Sequence, residues 1–201
     1  MKRIIGITGG VGSGKSRILE LLEQEFQAKV ILADEVARSL MEPGSSGYQQ
    51  VTKTLGTGFL KPDGSVDRKK LSDLIFSDPD ALKTMNRIIH PMTWAAIKDM
   101  TESAGEELVI VESALMGREQ KKEYGEIWYI FVAKETRIRR LMESRGYSRK
   151  KCLEIISSQK SETEFRAICD KVIDNNGLFE DTKRQIETIL RADNKKECIK
   201  S

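Results

Sequence analysis

The residues best suited to chemistry lie near the start of the chain, where glycines, a lysine and a serine follow an apolar run. Ile4 to Thr8 leads directly into the pattern Gly9-x-x-x-x-Gly14-Lys15-Ser16. Glycines allow backbone N–H groups to turn towards an anion, Lys15 can reach the β- and γ-phosphates, and the Ser16 hydroxyl can ligate magnesium. The spacing therefore predicts a phosphate-binding loop between a strand and a helix, with a nucleoside triphosphate and Mg²⁺ as its ligands.

Other classes of protein also carry glycine-rich turns after a strand. A dinucleotide-binding turn is one alternative, because an acid, Asp34, follows roughly twenty residues after the glycines. The run Gly14-Lys15-Ser16 favours the phosphate loop, since a dinucleotide site uses neither a lysine nor a hydroxyl at the start of its helix. A GTPase is disfavoured, because the pair Asn194-Lys195 lies in a charged segment and does not follow a strand. A turn that merely links a strand to a helix is the remaining alternative.

The composition is that of a globular protein without a strong charge bias. Of 201 residues, 34 are basic and 31 acidic, and the net charge of +3 predicts binding to neither nucleic acid nor membrane. The apolar runs are too short to cross a bilayer, and glycines interrupt the first of them, which argues against a signal peptide. Cys152, Cys169 and Cys198 are widely spaced, and they indicate free thiols in a reducing compartment. We expect a cytoplasmic protein with no obligate protein partner.

The alternation of short apolar runs with amphipathic segments predicts an α/β fold, a parallel five-stranded sheet flanked by helices, with a helical insert and a helical lid. The strands are expected at 4–8, 29–32, 108–111, 127–132 and 172–173, and the main helices at 16–26, 35–41, 135–145 and 148–159. His90-Pro91 is expected to break the helices of the insert. The expected domains are a nucleotide-binding core of residues 1–44, 108–134 and 166–192, an insert of 45–107, a lid of 135–165, and a charged, frayed tail of 193–201.

Two carboxylates follow strands at the edge of the sheet where ligands bind, because the carboxyl ends of parallel strands meet at that edge. Asp34 comes just after the second strand. It is placed either to accept a hydroxyl proton or hold metal-bound water, or to cap the helix that begins at Glu35. Glu112 ends the strand 108–111. It either supports magnesium or only hydrogen-bonds neighbouring backbone groups.

Arginines are concentrated in the helix expected at 135–145. Arg137 and Arg140 are three residues apart, so they share a polar face of that helix. Such a face can belong to a lid that brings a guanidinium to the γ-phosphate, and a solvated helix face is the alternative. His90, the only histidine, carries no local sign of catalysis.

Motifs beyond the phosphate loop run nearly from end to end of the chain. They are Thr8-Gly-Gly-Val-Gly-Ser-Gly-Lys-Ser16, Ala33-Asp34-x-x-Ala37-Arg38, Glu42-Pro-Gly44, Asp63-Gly-x-x-Asp67-Arg68, Ile75-Phe76, Asn86, His90-Pro91, Arg140-Leu141, Gln159, Arg166 and Asp170-x-Val-Ile-Asp-Asn-x-Gly177. In the order and spacing of these motifs the chain resembles the dephospho-CoA kinases. The resemblance implies a P-loop kinase core with a CoA domain and a lid. It also implies transfer of the γ-phosphoryl group of ATP, with Mg²⁺, to the ribose 3′-hydroxyl of dephospho-CoA, the last step of coenzyme A synthesis.

The resemblance also implies roles for individual residues. Asp34 is the expected general base, and Arg140 is the lid arginine expected to reach phosphate. The remaining residues expected on the substrate side are Thr8, Arg38 and His90, and those expected at the metal are Ser16 and Glu112. The residues expected to bind ATP are Gly10, Val11, Gly12, Ser13, Gly14, Lys15, Ser16 and Arg140, of which Lys15 and Arg140 are also expected to be catalytic.

The chain departs from the family pattern in two places. Leu32 stands where the family usually has a first aspartate, and Ala114 lies in a stretch where the family usually has acid-x-Pro-Leu-Leu, with Arg118 close to a position that is often acidic. Two alternatives stay open: another small-molecule kinase that acts on a nucleoside or nucleotide, and, given these two changes, a nucleotide-binding protein that has lost turnover. Because Lys15 and Asp34 are retained, we expect an active enzyme.

Overall fold

The computed structural model describes residues 2–198, with the side chains of residues 2–117 and 119–192. Its strands are β1 (Arg3–Thr8), β2 (Lys29–Leu32), β3 (Leu108–Glu112), β4 (Glu126–Phe131) and β5 (Lys171–Asp174). Its helices are α1 (Lys15–Phe26), α2 (Ala33–Ser39), α3 (Ser46–Leu55), α4 (Arg68–Ser77), α5 (Pro79–Ser103), α6 (Arg118–Tyr124), α7 (Lys134–Arg145), α8 (Arg149–Ser157), α9 (Glu162–Ile168) and α10 (Phe179–Cys198).

The five strands form one sheet in the order β2-β3-β1-β4-β5, which confirms the predicted α/β fold. β1 is central and pairs in parallel with β3 and β4, and β4 pairs in parallel with β5. Strands that are covered on both faces have nearly continuous apolar sequences. The sequences of β1, β3 and β4 are of this kind. The apolar side chains of the sheet with 0% exposure are Ile5, Ile7, Val109, Ile110, Val111, Ile127, Trp128, Ile130 and Ile173.

The chain forms two compact units, of which one is Met1–Val30 with Glu106–Ser201 and the other is Ile31–Gly105. The division into core, insert and lid that the sequence suggests stays a prediction. In the second unit, α3 and α4 both pack on the long helix α5. The core of that unit consists of Val51, Phe59, Leu71 and Ile89, surrounded by partly buried apolar side chains.

The helices of the second unit begin where short polar side chains satisfy their first N–H groups. Ser45 accepts a hydrogen bond from the N–H of Tyr48 at the start of α3. Asp67 accepts from two N–H groups at the start of α4, and Asp78 does the same at the start of α5. Between α3 and α4, the Lys61 N–H donates to the Ser65 carbonyl, 2.8 Å away, which closes a turn.

Helix α5 continues through Pro91, so the prediction that His90-Pro91 breaks the helices is wrong. Proline lacks the N–H that would bond the carbonyl four residues earlier, and a proline inside a helix costs about 3 kcal/mol. Ile89, Thr93 and Ile97 are buried on one face of α5. Burial of this continuous face on both sides of Pro91 offsets the local cost, because most of a helix's stability comes from tertiary packing.

Two other helical segments differ from the sequence prediction. Helix α6 was not predicted, because its seven residues are mostly charged. Tyr124 is buried and anchors the helix, and the Gln120 side chain accepts a hydrogen bond from the Gly117 N–H at the helix start. Helix α10 extends to Cys198, into the tail predicted to be frayed, whose last three residues lie outside the described part. The sequence 192–198 contains no glycine or proline that would stop the helix.

Cysteine chemistry gives a first testable prediction. Cys152 is buried and Cys169 is half-buried, and both are free thiols. Burial, with the negative charge of Asp170 beside it, raises the pKa of Cys169 from 9.0 to about 12. Because only the thiolate reacts, we expect iodoacetamide at pH 8 to modify Cys169 at least about 100-fold more slowly in the native protein than in urea. Peptide mapping by mass spectrometry measures the two rates, and equal rates would contradict the assigned burial.

Candidate active site

The phosphate loop joins the end of β1 to the start of α1, as the sequence predicts. Gly12 and Gly14 both have φ of 81°, a left-handed conformation that side chains with a Cβ rarely adopt. Among the described residues the N–H groups of Gly12 and Gly14 have no hydrogen-bond partner. Together with the first N–H groups of α1, they give the loop a set of donors for an anion.

Lys15 lies at the first position of α1, where its side chain is held from two directions. Its Nζ donates to the Gly9 carbonyl at 2.7 Å and lies 3.6 Å from a carboxylate oxygen of Glu112. Both charged side chains are mostly buried, at 17% and 15% exposure. Glu112, at the carboxyl end of β3, is thereby placed beside the phosphate loop.

Arg137 packs against the tip of the phosphate loop. Its Nε donates to the Val11 carbonyl at 2.8 Å, and its guanidinium also donates to the Gln159 side chain. The side chain is only 8% exposed, and burial lowers the pKa of Arg137 from its ordinary value. The alternative of a solvated helix face is therefore wrong for Arg137, because contacts with the loop bury it.

Arg140, one turn further along α7, contacts the other side of the loop. It donates to the Asn175 carbonyl at 2.8 Å, and its second nitrogen lies 3.5 Å from the Ser13 carbonyl. Burial, followed by the repulsion of neighbouring Arg139, lowers the pKa of Arg140. Even with these lowered pKa values, the guanidinium groups of Arg137 and Arg140 stay charged at neutral pH. Arg140 therefore places a fixed cation beside the loop.

Asn175 fixes the loop from the end of β5. Its side-chain nitrogen donates to the Ser13 carbonyl at 2.7 Å, and its side-chain oxygen accepts from the Thr182 hydroxyl at 2.9 Å. The space this amide occupies adjoins Gly14, where a Cβ would come within 2.6 Å of the amide nitrogen. Gly14 is therefore required both for its backbone conformation and for the close approach of Asn175.

The packing of Arg137 on the loop gives a second testable prediction. A Cβ added at Gly10 would overlap the Arg137 guanidinium, so Gly10→Ala must displace it. Losing the hydrogen bonds of a buried charged group is expected to lower the free energy of unfolding by about 2–4 kcal/mol, measured in urea. Gly105→Ala is the matched control, because nothing lies within 4 Å of its Cβ position. An equal effect of the two substitutions would refute the contact.

Two hydroxyls at the base of the loop lack partners. Thr8 ends β1 with 0% exposure, and Ser13 is 1% exposed. Neither hydroxyl has a hydrogen-bond partner among the described residues. Thr8, which the family resemblance assigns to the substrate side, therefore lies beneath the surface of its unit.

Asp34 and Arg38, which the sequence predicts on the substrate side, line a cleft of about 380 Å³ in the second unit. They lie four residues apart on α2, so they share one face of that helix. Arg68 adds a second guanidinium to the cleft, and apolar side chains such as Met85 and Ile89 form the rest of its wall. The cleft thus combines two carboxylates, those of Asp34 and Glu42, with two guanidinium cations and an apolar surface.

The alternative interpretation of Asp34 as a helix cap is wrong. Helix α2 begins at Ala33 and its N-cap residue is Leu32, which makes no side-chain capping bond. Asp34 lies in the first turn, exposed, and has no hydrogen bond or ion pair with any other described residue. Its carboxylate is therefore available to a ligand.

The remaining residues that the sequence singles out, where the structure describes their side chains, do not line the cleft. His90 is half-buried on α5 and is absent from the lining of the cleft. Ser16 is exposed in the first turn of α1. Ala114 is exposed after β3, and the Arg118 side chain lies outside the described ones. Among the described residues no group of three or more His, Cys, Asp or Glu side chains could hold a metal ion.

The contacts of Arg137, Gln159 and Asn175 with the loop were not predicted. All three lie far from residues 9–16 in sequence, one within α7, one after α8 and one after β5, and their contacts arise only when the chain folds. The sequence signal that could have indicated these contacts is the set of motifs shared with the kinase family, because Gln159 and Asn175 belong to those motifs.

A parallel sheet with a phosphate loop after its central strand defines the class of P-loop nucleotide-binding folds. A shikimate kinase from Bacteroides thetaiotaomicron shares the fold, with a TM-score of 0.56 at 14% identity, covering 93% of this chain and 98% of that one. A crystal structure from Thermus thermophilus has a TM-score of 0.77 at 28% identity, covering 95% and 97% of the two chains. No helix in the described part is long and apolar enough to span a membrane.

Sequence comparison identifies the family within that class. The family model described as dephospho-CoA kinase matches residues 3–181. A dephospho-CoA kinase from Carboxydothermus hydrogenoformans is 38% identical over 192 residues, which cover 94% of this chain and 93% of that protein. The chain belongs to the dephospho-CoA kinase family.

Proposed function

We propose that this protein transfers the γ-phosphoryl group of ATP to the ribose 3′-hydroxyl of dephospho-CoA, giving coenzyme A and ADP. The observation that carries the proposal is the phosphate loop, in which Lys15 is held beside Glu112 and arginines of α7 contact both sides. Membership of the dephospho-CoA kinase family supports the choice of acceptor.

On the donor side, the loop binds the phosphates of ATP through its N–H groups, Lys15 and Arg140. The unpartnered N–H groups of Gly12 and Gly14 face no competing acceptor among the described residues. In the loose transition state of phosphoryl transfer, negative charge is spread over three oxygens of the transferred group. The cations of Lys15 and Arg140 offset this charge. Arg140 is already anchored to the Asn175 carbonyl, so little side-chain freedom is lost when phosphate binds.

The residues at the loop fit a magnesium ion that is bound chiefly by the nucleotide. Mg²⁺ in such sites takes one or two protein oxygens and keeps water and phosphate oxygens as its other ligands. The Ser16 hydroxyl and the Glu112 carboxylate supply oxygens of this kind. A bound Mg²⁺ would neutralise charge on the β- and γ-phosphates.

On the acceptor side, Asp34 takes the proton of the attacking 3′-hydroxyl. Its exposed carboxylate has no partner among the described residues, and it lines the cleft with Arg38. Arg38 holds a phosphate of the acceptor, because a guanidinium pairs with phosphate oxygens in a fixed, bidentate geometry. The family resemblance also assigns Thr8 and His90 to the substrate side, but Thr8 is fully buried and neither residue lines this cleft.

The reaction is tested by product identity. The protein is incubated with ATP, Mg²⁺ and dephospho-CoA, and the products are separated and identified by mass spectrometry, with phosphorus NMR to locate the new phosphate. We expect coenzyme A and ADP in equal amounts, with none formed when EDTA removes Mg²⁺. ATP binding without phosphorylation would show instead that the changes at Leu32 and Ala114 have left a nucleotide-binding protein.

A further inference from the structure

Gln159 lies just after α8, yet its side chain reaches the phosphate loop, 148 residues away in sequence. Its Oε1 accepts the N–H of Val11 at 3.1 Å and also accepts a hydrogen from the Arg137 guanidinium. One amide oxygen therefore joins the tip of the loop to the arginine that packs against it.

The chemistry of these contacts requires an acceptor at this position. A backbone N–H and a guanidinium can only donate, so neither can bond to the amide nitrogen of glutamine. The two bonds use both lone pairs of Oε1. An apolar side chain of the same size would fill the space but leave a buried guanidinium and a loop N–H without this partner.

Together these contacts fix the peptide groups on both sides of Val11. The Val11 carbonyl accepts from Arg137 Nε at 2.8 Å, while the Val11 N–H is held by Gln159. The Ser13 N–H is also occupied, since it donates to the Gly10 carbonyl at 3.1 Å. Two N–H groups of the loop are thus turned to protein acceptors, while those of Gly12 and Gly14 have no such partner among the described residues.

The residue after Gln159 makes a parallel contact with another loop. Lys160 Nζ donates to the carbonyls of Ala114 and Met116, at 3.4 and 3.2 Å. That loop follows Glu112, which pairs with Lys15. The short segment after α8 therefore holds the phosphate loop and the loop that follows β3.

We propose that Gln159 is a positioning residue for ATP, acting through Val11 and Arg137 to hold the phosphate loop in its binding conformation. The inference rests on the proposed function. A loop held in place before ATP arrives loses less conformational freedom on binding, so removal of the acceptor oxygen weakens ATP binding. The acceptor cleft contains neither Gln159 nor its partners, so the KM for dephospho-CoA is unaffected.

The test replaces Gln159 by leucine, which has a similar size and no acceptor. The Kd of a non-hydrolysable ATP analogue, measured by calorimetry, is expected to rise about 10- to 100-fold, with the KM for dephospho-CoA changed less than about 3-fold. Gln159→Glu retains an acceptor for both donors, and its charge is balanced by Arg137, so its Kd is expected to stay within about 3-fold of wild type. Ser158→Ala is the neighbouring control, since among the described residues the Ser158 hydroxyl bonds only to the Ile155 carbonyl of α8.

A double substitution separates positioning from general destabilisation. If Gln159 acts through Arg137, the effects of Gln159→Leu and Arg137→Met on Kd overlap, and the double variant binds little worse than Arg137→Met alone. Strictly additive effects, an unchanged Kd in Gln159→Leu, or an equal rise in the KM for dephospho-CoA would each overturn the proposal. Because the analogue is bound without turnover, these outcomes are distinct from a failure of wild-type protein to phosphorylate dephospho-CoA.

Discussion

Asp34→Asn is expected to lower kcat by about 10²- to 10⁴-fold, the usual cost of losing a general base. Asparagine has nearly the same shape and can still accept a hydrogen bond from the acceptor hydroxyl, but it cannot take the proton. Because Asp34 has no hydrogen bond or ion pair with any other described residue, its replacement removes no such bond. The KM values for ATP and dephospho-CoA should therefore change by less than about 3-fold. Steady-state rates of ADP formation measure all three quantities.

The matched control for this prediction is Glu35→Gln. Glu35 is the next residue, exposed in the same first turn of α2, so the substitution removes the same charge from the helix start. We expect its kcat to stay within about 2-fold of wild type, since helix-end charges contribute little at an exposed position. A kcat in Asp34→Asn as high as in Glu35→Gln would leave the kinase activity intact but exclude Asp34 as its base.

Lys15→Ala is expected to lower kcat/KM for ATP by about 10²- to 10³-fold, the effect of removing one preorganised donor to a developing negative charge. Lys15 is held by the Gly9 carbonyl and Glu112, so its ammonium group is already directed along the loop. The substitution also leaves the mostly buried carboxylate of Glu112 without this cation. We therefore expect a lower free energy of unfolding as well, and this is measured in parallel by urea denaturation.

Lys122→Ala serves as the control for the lysine substitution. Lys122 lies in the same compact unit, on α6, where it is exposed and makes no hydrogen bond or ion pair with another described residue. Its loss should change neither ATP kinetics nor stability measurably. If Lys15→Ala retained wild-type kcat/KM for ATP, the assignment of the phosphate loop as the donor site would be wrong.

The phosphate loop was predictable from sequence because its geometry is local. Gly12 and Gly14 adopt the left-handed conformation that glycine permits, and a strand and a helix flank them as the pattern requires. The five strands were predictable for a related reason, since runs buried on both faces are apolar throughout. Each of these features depends on residues close together in the chain.

Features that depend on distant contacts were predicted poorly. The face of α7 that contains Arg137 looks solvent-exposed in the sequence, but the loop and Gln159 cover it. Pro91 looks like a helix breaker, but buried side chains before and after it keep α5 continuous. Local propensity was outweighed in both cases by tertiary packing. The packing interactions differ between the two cases, because hydrogen bonds hold Arg137 in place whereas buried apolar side chains hold α5 together.

The choice of acceptor is the central claim, and one comparison tests it most directly. The rate of ADP formation is measured with dephospho-CoA and with AMP as alternative acceptors, at saturating ATP and Mg²⁺. We predict a kcat/KM for dephospho-CoA at least about 100-fold above that for AMP, because AMP lacks the pantetheine arm and a phosphate that the acceptor site would contact. Equal values, or a preference for AMP, would contradict the account and make the protein a nucleotide kinase.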